Sequence, residues 1–68
     1  MAEPHEIWER IVKADELLKY ATSERLGQRT EQAVALLRAA LNEAESIGNE
    51  ELAGQARARL ADLEAGSA

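Results

Sequence analysis

Apolar residues recur every three or four positions along most of the chain. The first series is Ile7, Trp8, Ile11, Val12, Ala14, Leu17, Leu18 and Ala21, a spacing that lines one face of an α-helix. Pro4 suits the first helical position, where its missing N–H would be unpaired anyway. The opposite face places Glu6 before Arg10, Glu9 before Lys13 and Asp15 before Lys19. Each is a favourable i,i+4 pair, contributing about 0.2–0.5 kcal/mol when exposed. The second series is Ala33, Val34, Leu37, Ala40, Leu41, Ala44 and Ile47, with Leu36 at its edge. The third is Leu52, Ala53, Ala56, Leu60 and Leu63. The pattern predicts an all-α fold of three antiparallel helices over about residues 4–26, 29–47 and 49–64, with 65–68 a frayed tail.

The expected turns read alike. Leu26-Gly27-Gln28 and Ile47-Gly48-Asn49 both run apolar, glycine, amide, which suggests a degree of internal repetition. Each glycine is expected to end a helix in the left-handed conformation. Asn49 suits the N-cap of the third helix, and Glu50 and Glu51 complement its dipole. Gly54 falls inside that helix. With the neighbouring alanines, it is expected to let two backbones approach closely.

Residues 33–63 resemble one tetratricopeptide-type repeat. The likeness lies in Ala40-Leu41 of the first helix, Ile47-Gly48-Asn49 at the turn, and small residues with Leu60-Ala61 in the second helix. Leu or Ala stands at the family's usual aromatic positions, and no proline closes the unit. The first helix then resembles the second helix of a preceding repeat, about one and a half repeats in all. Length and topology are also similar, more weakly, to microtubule-interacting-and-transport domains. The tetratricopeptide resemblance implies a protein-binding scaffold in which a peptide or helix docks in a groove.

Composition narrows the function further. Thirteen acidic against eight basic side chains leave a formal charge of −5, which disfavours nucleic acid and anionic membrane surfaces as partners. With no cysteine, neither a disulfide nor a thiolate metal site can supplement a small core. MAEPHEIWER lacks the basic-then-apolar order of a signal peptide, and no apolar run reaches the ~20 residues of a membrane span. The expected location is cytoplasmic.

No catalytic, cofactor or metal site is expected. His5-Glu6 begins an HExxH-like pattern, but position 9 is Glu and the chain has a single histidine. The groups Asp15-Glu16, Glu43 with Glu45, and Glu50-Glu51 lack the spacing of a calcium loop and read as solvated faces and helix starts. Ser23 and Ser46 have no histidine to activate them. Arg57 and Arg59 diverge around the third helix and read as solvated, or paired with Glu43 or Asp62. Trp8 and Tyr20, twelve residues apart, point about 120° from each other. Trp8 is expected at the end of the core and Tyr20 at its boundary, or one of them in an interface. The chain therefore reads as a non-catalytic protein–protein interaction module. The alternative is a self-associating unit such as a homodimer, or a designed or excised repeat fragment. Trp8, Ile11, Leu18, Tyr20 and Leu37 are the candidate interface residues, and another protein or a second copy is the candidate partner.

Overall fold

The computed structural model describes residues 3–66 and contains three helices, α1 (Pro4–Lys19), α2 (Leu26–Ser46) and α3 (Glu50–Gly66). They run up, down and up. Helices α1 and α3 both pack along α2, and they touch each other only sparsely. The Cα trace measures 37 × 21 × 13 Å. The bundle is thus open on one side, with α2 in the middle.

The buried residues follow the predicted stripes. Ile7, Ile11 and Ala14 of α1, Ala33, Leu37, Ala40 and Ala44 of α2, and Ala53 and Ala56 of α3 form one core. Leu18, Leu36, Leu41, Ile47, Leu52, Leu60 and Leu63 pack around it, half-buried. Among the described residues, only Ile7, Ile11 and Leu37 are large side chains fully out of water. Alanine fills most other core positions, and small side chains at a contact bring helix axes toward the lower end of the ~8–10 Å range. The core is narrow, so each of its large residues carries a large share of the burial energy, about 1.5–3 kcal/mol apiece.

The α2–α3 turn matches its sequence. Gly48 adopts φ 72°, in the left-handed region. Its N–H donates to the Glu45 carbonyl, and the Asn49 N–H donates to the Ala44 carbonyl at 2.8 Å. That pair of bonds is a Schellman closure of α2. Asn49 then starts α3, its Oδ1 accepting from the Leu52 N–H at 3.1 Å. One residue therefore completes one helix and caps the next.

The first turn does not repeat this design. Helix α1 stops at Lys19 and the chain turns through residues 20–25. Thr22 and Ser23 are poor helix continuers because their hydroxyls compete for nearby backbone groups; the Thr22 carbonyl instead accepts from the Arg25 N–H at 3.0 Å. Gly27 is no C-cap. It lies in the first turn of α2 without a positive φ, so the likeness between the two glycine triplets is one of letters alone. At the other end, α3 continues through Ala65 and Gly66, further than expected, while Ser67 and Ala68 lie outside the described residues.

The expected role of Gly54 is also corrected. A Cβ built there meets nothing within 4 Å, so no backbone presses on it. Close approach is the work of Ala53 and Ala56, at 4% and 0% exposure. In urea titrations at low micromolar concentration, Gly54→Ala should therefore stabilise the chain by about 0.5–1 kcal/mol. Gly48→Ala should destabilise the monomer by about 1–2 kcal/mol, since alanine is strained at φ 72°. Equal effects at the two positions would contradict this assignment. Leu37→Ala should cost about 2–5 kcal/mol, and circular dichroism should show the cooperative melt lost or shifted strongly downward.

Candidate interaction surface

The open side lies between α1 and α3. Trp8, Val12 and Asp15 follow one another at four and three residues along α1, beside the buried stripe of Ile7, Ile11 and Ala14. On α3, Leu52, Gln55, Arg59 and Leu63 follow the same rhythm beside Ala56 and Leu60. Leu52, Leu60 and Leu63 are half-buried, and Trp8 is 41% exposed. The open side thus carries apolar side chains that the chain covers incompletely.

Arg59 crosses it. Its Nε donates to both carboxylate oxygens of Asp15 at 3.0 Å. Its Nη1 donates to the Gln55 carbonyl at 3.1 Å and to Gln55 Oε1 at 2.8 Å. The guanidinium lies 5.7 Å from the centre of the Trp8 ring, at cation–π range. A long, planar, always-charged side chain can satisfy all three partners at once. Where alanines leave the helix pair short of bulk, Arg59 spans the gap with its stem and head.

Two further ion pairs fasten the flanking helices to α2. Arg10 pairs with Glu43, and Arg57 lies 3.7 Å from Glu45. Sequence spacing assigned Arg10 and Asp15 to partners within α1, and placed Arg59 in solvent or beside Glu43 or Asp62. The fold instead joins Asp15 to Arg59, 44 positions away. The available signal was positional: Trp8 and Asp15 are seven residues apart on one stripe, and Leu52 and Arg59 are seven apart on another.

The predicted interface residues divide. Ile11 and Leu37 are fully buried within one chain and present no surface to a partner. Leu18 is half-buried against the core. Trp8 is no core-end residue but stands at the cleft rim under Arg59. Tyr20, at 75% exposure, sits beyond the end of α1 with the Lys19 ammonium 5.5 Å from its ring centre. Leu26, at the start of α2, is 50% exposed. Trp8 and Tyr20 therefore mark separate places on the surface.

His5 is exposed and lies 3.5 Å from Glu3. Among the described residues, no group of three or more His, Cys, Asp or Glu side chains is arranged to hold a metal ion, and no helix is long and apolar enough to cross a membrane. Comparison with known protein families, characterised proteins and solved structures finds no match.

The Asp15–Arg59 contact is open to a double-mutant cycle. With the Asp15 side chain 48% and the Arg59 side chain 25% exposed, solvent screening limits the coupling to about 0.5–1 kcal/mol. Asp15→Asn and Arg59→Met should show that coupling in urea titrations, weakening as salt rises. Arg59→Met should also shift the emission of Trp8, the only tryptophan. A zero coupling with unchanged emission would mean that Arg59 does not bridge the helices in solution.

Proposed function

We propose that the chain is a non-catalytic protein-interaction module that offers the cleft between α1 and α3 to a helical segment of another protein. The observation that carries this reading is the half-covered row of Leu52, Leu60 and Leu63 beside the exposed Trp8. An amphipathic helix recognises such a groove through apolar anchors three, four and seven residues apart. The arrangement of α1 and α3 on α2 fits the same reading. It is a row of helices, as the resemblance to a tetratricopeptide hairpin implies, and a row presents a face where a closed triangle would present none.

A second reading, self-association through that cleft, draws on the surface area. The accessible surface of 4737 Å² exceeds the roughly 4200 Å² expected of a compact monomer of 7.4 kDa. A second copy laid against the open side would remove some of that excess.

Light scattering from micromolar to millimolar concentration, with photo-cross-linking from positions 63 and 42, separates the readings. Position 63 borders the cleft, and the exposed Asn42 lies away from the core on α2. A constant mass of 7.4 kDa, with adducts to another protein from 63 but not from 42, is expected. Doubling of the mass with self-adducts from 63 moves the assignment to the second reading. A constant mass with no adduct specific to 63 removes both.

A further inference from the structure

We propose that the chain carries a second docking surface, a cationic notch between the end of α1 and the start of α2, which takes an acidic segment of another protein that bears an apolar anchor. One edge of the notch is Lys13, Glu16, Leu17 and Tyr20. Their spacing of three, four and seven residues puts them on one face of α1 and its C-terminal end. Arg29 of α2 forms the other edge, and the five residues line a concavity of about 210 Å³. Trp8 and Asp15 belong to the flank of α1 that meets Arg59, so the notch is separate from the open side between α1 and α3.

The fold leaves this notch short of negative charge. Glu9 and Asp15 stand four residues before Lys13 and Lys19, but Asp15 is taken by Arg59. Among the described residues, neither lysine forms an ion pair. The Lys19 ammonium lies instead 5.5 Å from the centre of the Tyr20 ring. Arg29 is half-buried, and its guanidinium has neither an ion-pair nor a hydrogen-bond partner. Three cations, Lys13, Lys19 and Arg29, therefore gather about one carboxylate, Glu16, while Glu24 and Arg25 of the adjoining turn offset each other. The surroundings belong to a chain whose formal charge is −5. A local reversal of sign steers an oppositely charged partner to one place and orients it there.

Size and charge together select the occupant. Sites that bury a small molecule run to about 300–1,000 Å³, so a notch of about 210 Å³ holds one or two side chains of something larger. Tyr20 is 75% exposed and Leu17 half-buried, which gives an incoming leucine or phenylalanine an apolar floor beside the cations. Tyrosine and arginine are also the side chains enriched where interfaces concentrate their binding energy. Nucleic acid is the poorer fit, because its affinity grows with the number of phosphates neutralised and the notch offers three cations. A peptide with carboxylates on either side of one apolar anchor meets both halves of the surface.

The test titrates the 15N-labelled full chain with the end-capped peptide EELFEE, its charge-reversed counterpart KKLFKK, inorganic phosphate and a short single-stranded DNA, followed by NMR shift changes. EELFEE should move the signals of Lys13, Leu17, Tyr20 and Arg29 and leave those of Trp8, Leu52 and Leu63 in place. KKLFKK should bind about tenfold more weakly or not at all, since like charges then face each other. Lys13→Glu combined with Arg29→Glu should weaken EELFEE about tenfold, as the loss of two exposed ion pairs and their replacement by repulsion implies. If that variant loses its helical signal in circular dichroism, Lys13→Gln with Arg29→Gln replaces it, and about a fivefold loss is expected. No shift with EELFEE at millimolar concentration, equal binding of the two peptides, or shifts centred on Leu52 and Leu63 overturns the proposal. Phosphate that binds the notch as tightly as EELFEE makes it an anion site with no part for a peptide, and DNA that binds it more tightly gives it to nucleic acid; either result also overturns the proposal.

Discussion

One stripe on α2 has to satisfy two neighbours. Ala33, Leu37, Ala40 and Ala44 are all fully buried, and they lie within one face of a single helix. A stripe that narrow can hold α1 and α3 together only if both come close, and close approach requires small side chains. The alanine-rich composition of α2 and α3 follows from that demand. So does the open side of the molecule: with α2's stripe shared, α1 and α3 touch each other only sparsely. Large residues are concentrated on α1, where Ile7 and Ile11 supply most of the bulk of the core.

The polar contacts compensate for what the alanines omit. Arg10–Glu43 and Arg57–Glu45 bind the flanking helices to α2, and Arg59 with Asp15 and Trp8 ties them to each other. Exposed ion pairs contribute little stability each. Their value here lies in register: a guanidinium that grips two carboxylate oxygens, an amide and a ring fixes where α3 sits along α1. Stability and specificity thus come from different atoms, with Leu37 and the isoleucines supplying the first and Arg59 much of the second.

Legibility from the sequence divides along the same line. The apolar stripes, the Gly48-Asn49 turn and the start of α3 were readable, because each depends on residues within a few positions of one another. Gly27 was misread because a glycine between helical patterns has two uses, a left-handed cap or an early helical position, and the letters do not distinguish them. The hydroxyls at Thr22 and Ser23 were the better signal for the end of α1. The pairing of Asp15 with Arg59 was readable only as two positions on separate stripes, not as a contact. An acid four residues before a lysine looks locally satisfied, and only the packing shows that a more distant arginine offers better geometry. For the same reason Ile11 and Leu37 could be placed on apolar faces but not assigned to core or interface. That distinction depends on how wide each face is once the helices meet.

Arg59 decides how much of the open side is exposed. Its hold on Asp15 and Trp8 fixes α3 against α1, and its stem lies over the edge where Leu52 and Leu63 are half-buried. These contacts are exposed polar ones, and exposed ion pairs contribute little stability each. If a helical segment docks there as proposed, it has to displace or accommodate that guanidinium, so access to the apolar edge would depend on one set of polar contacts.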